Sequence, residues 1–159
     1  MSLVTEHLAQ AGLRFEYLPH PRAETARAEA EALDLHADEV VKVVVLRIDT
    51  GFGLAVLTAD RRLDLDLAAD AIGDRDARLA TEAEIAAAFP EFEPGTVPPL
   101  PALLHVPVAI DPGVFAHRRV TFAAGSQRES VRTEPGPLLR GATVTIGPIT
   151  APLGSRAAP

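Results

Sequence analysis

Residues 39–46 read Glu-Val-Val-Lys-Val-Val-Val-Leu, and the reading of this run decides the fold. Its valines favour a pleated, buried ladder over a helix. A polar turn at Asp38-Glu39 precedes it and a glycine turn at Gly51-Phe52-Gly53 is expected after it. Lys42 stands in the middle and is the only lysine in a chain with 15 cationic residues. Period-2 alternation puts Lys42 on one face with Val44, Leu46 and Ile48, so its stem is packed while its ammonium must reach an anion or water. Two readings stay open at this point: a snorkelling or ion-paired strand lysine, and a cation kept for a ligand.

Working outward, the strand is expected to return on Leu54-Ala55-Val56-Leu57-Thr58 as a hairpin. Upstream, a helix is predicted over 2–12, with Leu3, Val4, Leu8 and Ala11 on one stripe. Arg14 to Leu18 alternates like a strand and runs into the loop Pro19-His20-Pro21. Thr25 is an N-cap for a helix over 26–34 whose Ala26, Ala30 and Leu33 face inward. Downstream, Asp64 caps a helix that Gly73 ends. Thr81 and Glu84 form a capping box for another, ended by Pro90. Residues 90–101 hold five prolines, so no helix or interior strand is expected there. Further strands are predicted at 103–110, 120–124, 129–133 and 142–146, with a short helix at 137–140. The sum is α+β: a single domain over 1–146 with a mixed, partly curled sheet of about six or seven strands flanked by helices. Residues 147–159, rich in Pro, Gly, Ser and Ala, are expected to be a flexible tail.

Composition narrows the function. The absence of cysteine excludes disulfides, thiol nucleophiles and Cys-ligated metal. Five scattered histidines show no ligand spacing, so no metal and no cofactor is expected. No signal segment or membrane-spanning apolar run is read, so the expected location is the cytoplasm and no membrane partner is expected. A net charge of −7 opposes bulk attraction to nucleic acid, although arginines cluster at Arg61-Arg62, Arg118-Arg119 and Arg128/Arg132 and leave room for a local basic surface. The acids Asp60, Asp64 and Asp66 are accounted for by a helix N-terminus. The loop Glu93-Pro94-Gly95-Thr96-Val97-Pro98-Pro99 is stiffened by proline, and its glycine permits close approach to a ligand by main-chain groups.

The order of these pieces resembles the YbaK/prolyl-tRNA-synthetase-associated editing domain family of aminoacyl-tRNA deacylases. The resemblance runs over residues 13–146. It is carried by the His20-Pro21 loop, Thr25 with its alanine-rich helix, EVVKVVVL around Lys42, LAVLTADRRLDLDLAA at 54–69, GTVPPL at 95–100 and VTFAAGSQRESV at 120–131. It implies a pocket between the lysine strand and the Gly-x-x-Pro loop. Lys42 would reach the terminal adenosine phosphate, and Gly95, Thr96, Val97 and Pro98 would hold the aminoacyl group. Gly125, Ser126 and the strand after them would line the same pocket, with His20 beside it. Ser130 stands where YbaK proper carries an aspartate, and Pro94-Gly95-Thr96-Val97-Pro98 replaces its Gly-Gly-x-Ser-Pro loop. The implied activity is hydrolysis of the ester of a mischarged tRNA in trans, on substrates such as Cys- or Ala-tRNA(Pro). The implied partners are the 3′ end of aminoacyl-tRNA and an aminoacyl-tRNA synthetase. A covalent intermediate is not expected, because neither Cys nor a Ser-His-Asp set is evident; main-chain N–H groups near Gly95 and Gly125 would polarise the ester. A non-catalytic module for aminoacyl-tRNA ends or nucleotides, and a Schiff-base enzyme using Lys42, are the alternatives.

Overall fold

The computed structural model describes residues 2–141 and 143–152. Helix α1 (Leu3–Gln10) is capped by the Ser2 side chain, which accepts from Thr5 N. Strand β1 (Phe15–Pro19) follows, then α2 (Ala26–Ala32), capped by Thr25 as the sequence indicates. The hairpin is β2 (Val41–Ile48) with β3 (Gly51–Thr58), paired from Val41↔Thr58 to Ile48↔Gly51. The chain continues through β4 (Arg61–Leu63), α3 (Leu65–Ile72), β5 (Arg78–Leu79), α4 (Glu82–Ala88) and α5 (Pro101–Leu104). It ends with β6 (Val108–Ile110), β7 (Val120–Ser126), β8 (Glu129–Thr133), β9 (Val144–Ile146) and β10 (Thr150–Pro152).

The α+β expectation holds, with the strands dealt into three ladders. A mixed five-stranded sheet runs β5-β2-β3-β6-β9, in which β3, β6 and β9 are parallel. An antiparallel sheet runs β1-β8-β7, and β10 pairs with β4. Outside these ladders, one parallel bridge, Val40↔Thr121, ties the start of β2 to β7. This bridge carries the curl between the two larger sheets. The alternation in β2 sorts the core: Val41 and Val45 join Val56, Leu100, Phe122 and Val131 on one side, while Leu46 and Ile48 pack with Ala68 and Ala69 of α3 on the other. Fully buried Leu and Val side chains of this kind contribute about 1.5–3 kcal/mol each.

Four local expectations change. The hairpin turns at Asp49-Thr50, two residues before the expected glycines, because Asp49 N donates to Asp74 Oδ2 at 2.7 Å and Ile48 already pairs with Gly51. The strand predicted at 103–110 is only Val108–Ile110. Pro101 instead opens a helical turn at its first position, which ends at His105 with φ of 56°. Pro107 has no N–H to give a ladder, though its carbonyl accepts from Leu54 N. Gly125 and Ser126, expected in a loop, belong to β7. The tail expected from residue 147 is docked as far as 152: Ile149 is fully buried, and Asp111 Oδ1 accepts from Ile149 N at 3.0 Å and Thr150 Oγ1 at 3.1 Å. The expected flexibility of residues 153–159 lies outside the described residues.

Candidate functional site

After their single bridge at Val40↔Thr121, β2 and β7 part. Strand β5 pairs with β2 only at Leu46 and Arg47, well past this bridge. A cleft of about 190 Å³ opens along this seam. Lys42 and Val43 of β2 form one wall and Phe122 and Ala123 of β7 another; Thr25, Ala26 and Glu29 of α2 and Gly95 and Val97 of the proline loop close it.

Lys42 is half-buried and makes no hydrogen bond or ion pair with any described residue. Burial pushes its ammonium below the ordinary lysine range; the charges of Arg27 and Arg62 push the same way, and Asp60 opposes them. A cation lowered in this manner regains its proton affinity when an anion binds beside it. Of the sequence readings, the internal ion pair is not formed with any described residue, whereas a snorkelling stem with its ammonium at the cleft fits this geometry.

The proline loop is held by main-chain geometry. Gly95 has φ of +80°, and a Cβ there would lie 2.5 Å from the carbonyl oxygen of Glu24, so only glycine permits this approach. The N–H groups of Gly95 and Val97 have no acceptor among the described residues, while Thr96 N and Thr96 Oγ1 both donate to Glu93 O. Thr96 and Pro98 are thus buried supports outside the cleft lining. Gly125 and Ser126 also lie outside it. Gly125 O accepts from Glu93 N at 3.1 Å, and a Cβ on Gly125 would press on Phe92 at 3.0 Å, so this end of β7 anchors the loop from behind. Gln127 completes the anchor. Its N–H donates to Glu93 Oε1, its Nε2 to Pro94 O, and its Oε1 accepts from Arg22 Nε.

The residue that the sequence reading missed is Glu29, only 4% exposed on the inward face of α2. Ser130 Oγ, itself fully buried, is hydrogen-bonded to Glu29 Oε2 and lies 2.8 Å from His20 Nε2. His20 Nδ1 is 2.8 Å from the carbonyl of Pro21, which can only accept, so Nδ1 carries a hydrogen. The Ser130 hydroxyl therefore joins the Glu29 carboxyl to the His20 ring by two hydrogen bonds. Burial raises the Glu29 carboxyl to about 7, with the Ser130 hydrogen bond pulling it back. Glu29 Oε1 has no protein partner, yet no buried side-chain oxygen among the described residues lacks one, so Oε1 reaches solvent through the cleft it lines. The signal was present in the sequence: position 29 falls on the same helical stripe as Ala26, Ala30 and Leu33, where a carboxylate is out of place.

No group of metal-ligating side chains occurs among the described residues. Among them no helix is long and apolar enough to cross a membrane.

The fold and cleft define a small α+β domain whose mixed sheet parts around a single lysine. The model of the aminoacyl-tRNA editing domain matches residues 20–140, and the chain belongs to that family. It is 31% identical over 104 residues, 65% of its own length, to a proline–tRNA ligase of Shouchella clausii (strain KSM-K16). The chain spans 18% of the length of that ligase. Among solved structures, a candidate trans-editing enzyme for prolyl tRNA synthetase superposes with a TM-score of 0.74 at 26% identity, covering 93% of this chain and 92% of the other. A protein solved as a hypothetical one superposes at 0.80 with 22% identity, over 93% and 99% of the two chains, and speaks for the fold alone.

Proposed function

We propose that the chain is an aminoacyl-tRNA deacylase that hydrolyses the ester at the acylated 3′ end of tRNA, acting in trans beside a synthetase. The observation that carries this reading is Lys42, a cation without an ionic partner among the described residues, in a cleft lined also by Gly95 and Val97, whose N–H groups have no acceptor among those residues, and by one buried carboxyl. Lys42, with Arg27 and Arg62 nearby, holds the terminal phosphate as a compact point charge. The N–H groups of Gly95 and Val97 face the acyl carbonyl and stabilise the oxyanion as it forms.

Glu29 Oε1 takes a proton from the attacking water, whose oxygen bonds to the acyl carbon. The tetrahedral intermediate then collapses, and the departing 3′-oxygen takes that proton. A general base works best with a pKa near the working pH, and the value of about 7 for Glu29 meets this. Ser130 and His20 link the carboxyl to the molecular surface and reset its protonation between turnovers. In this scheme Ser130 serves as the middle of a proton route, the role left open by the missing family aspartate.

Lys42→Ala is expected to lower deacylation of a mischarged tRNA at least about 100-fold with an unchanged circular dichroism spectrum. Lys42→Arg is expected to fail as well, since a planar fork does not replace a point charge in this narrow seam. A panel of tRNAs charged with Cys, Ala and Ser identifies the amino acid removed. Full activity of Lys42→Ala on every member rejects the assignment, and binding without turnover by the unaltered chain favours a non-catalytic module.

A further inference from the structure

A second cleft, of about 650 Å³, lies at the far end of the β1-β8-β7 sheet and takes no part in the scheme above. It is lined by Arg14, Arg118, Arg119, Arg132 and Arg140, with Glu16 and Glu134 as its only acids. Five cations against two anions leave a local charge of +3 in a chain whose net charge is −7. Glu16 is spent on Arg119 and Arg132. The side chains of Arg14, Arg118 and Arg140 are exposed and make no hydrogen bond or ion pair with any described residue. Unopposed guanidinium groups gathered in one concavity repel one another and are relieved by an anion.

The strand register connects this cleft to the Lys42 site. Ala123 of the row Ala123↔Ser130 lines the lysine cleft, and the next same-face row is Thr121↔Arg132. Two residues of strand separate the rows, about 7 Å. Arg132 Nε donates to Thr121 Oγ1 at 3.3 Å, which fixes its side chain on that row. Arg132 of the arginine cleft therefore stands one same-face row from the strand pair that borders the Lys42 cleft. The arginines come from four separate stretches, at 14, 118–119, 132 and 140, and meet in one concavity. A concavity of about 650 Å³ bordered by five guanidinium groups has room for more than one phosphate, which suits a polyanion.

We propose that this arginine cleft carries the sugar-phosphate backbone of the RNA whose acylated 3′ end enters the Lys42 cleft. The proposal rests on the deacylase reading for the direction of the RNA, and it explains how an acidic protein holds a polyanion: through one local track.

The test uses the full chain and an RNA hairpin that ends in a single-stranded CCA 3′ terminus. Binding of the uncharged hairpin is followed by fluorescence anisotropy between about 50 and 200 mM KCl. Turnover is measured on the charged hairpin and on a charged CCA trinucleotide. For the variant R14A/R118A/R140A we expect hairpin affinity to fall at least about tenfold and the slope of log K against log salt to flatten by about 2 to 3, as each lost phosphate contact removes about 0.7–0.9. Turnover of the trinucleotide, too short to reach the cleft, stays unchanged. The triple Arg→Lys variant recovers most of the binding, because a phosphate accepts a point charge. Unchanged affinity and slope in the alanine variant overturn the proposal, as does equal loss on the trinucleotide. A polyglutamate of matched charge binding as tightly as the hairpin also overturns it, in favour of an acidic protein partner. If the unaltered chain binds the hairpin through these arginines yet hydrolyses nothing, the deacylase reading fails and the cleft stands. If it hydrolyses the trinucleotide while hairpin binding ignores the arginines, the cleft fails and the deacylase reading stands.

Discussion

Replacing Glu29 by glutamine tests the buried carboxyl at the level of thermodynamics, before any substrate is found. The amide keeps the size of the side chain and donates to Ser130 as the protonated acid does, but it cannot ionise. Glu29 rises from an ordinary 4.5 to about 7 in the folded chain, where it is 4% exposed. A raised carboxyl means that the folded state holds its proton more tightly than the unfolded one. The resulting stability is fully present below pH 4.5 and is lost as pH rises through about 7. At about 1.36 kcal/mol for each step of one in pKa, the whole loss is about 3 kcal/mol. Urea unfolding of both proteins from pH 4 to 8.5 reads it. The Glu29→Gln protein should gain about 3 kcal/mol on the unaltered chain across that window, most of it between pH 5 and 7. The same variant should lose about 100-fold or more in deacylation and lose any rise in rate near pH 7. Parallel stability profiles would refute the burial argument, and an undiminished rate would remove Glu29 from the mechanism.

Two further outcomes follow from the same geometry. Ser130→Ala removes the hydrogen bond that holds the Glu29 carboxyl down, so the pH profile of deacylation should move to higher pH and the fold should lose about 1–3 kcal/mol; an unmoved profile argues against the Glu29–Ser130–His20 chain. Gly95→Ala places a methyl group against Glu24 O at φ of +80°. The left-handed backbone alone costs about 1–2 kcal/mol, so the melting temperature should fall by several degrees, and activity should fall further as the loop lifts from α2. An unaltered melting temperature would show that the loop is not pinned there.

Much of the site was readable because local chemistry writes it into the chain. Lys42 is conspicuous as the one lysine in a valine ladder, and Thr25, Asp64 and the Thr81/Glu84 pair announce helix starts that the structure places where expected. Proline density alone marked the 90–101 loop. The readings that moved are those that depend on a distant partner. Asp74 moves the hairpin turn, and Asp111 draws the segment at 149–150 into the fold although its composition reads as a tail. Thr96, Gly125 and Ser126 look like ligand-facing groups in a loop motif, yet their hydrogen-bonding capacity is used on Glu93 and its neighbours.

The sequence by itself determined the class of the fold, the position of the cation and the stiffness of the loop, since periodicity, capping and proline act over a few residues. Only the tertiary structure decided that Lys42 faces an open seam, that Ser130 joins Glu29 and His20 across 101 and 110 residues of sequence, and that arginines from four stretches line one cleft. The reason is physical: burial, and the pairing or isolation of a charge, are set by which strands happen to lie side by side, and no local rule specifies that.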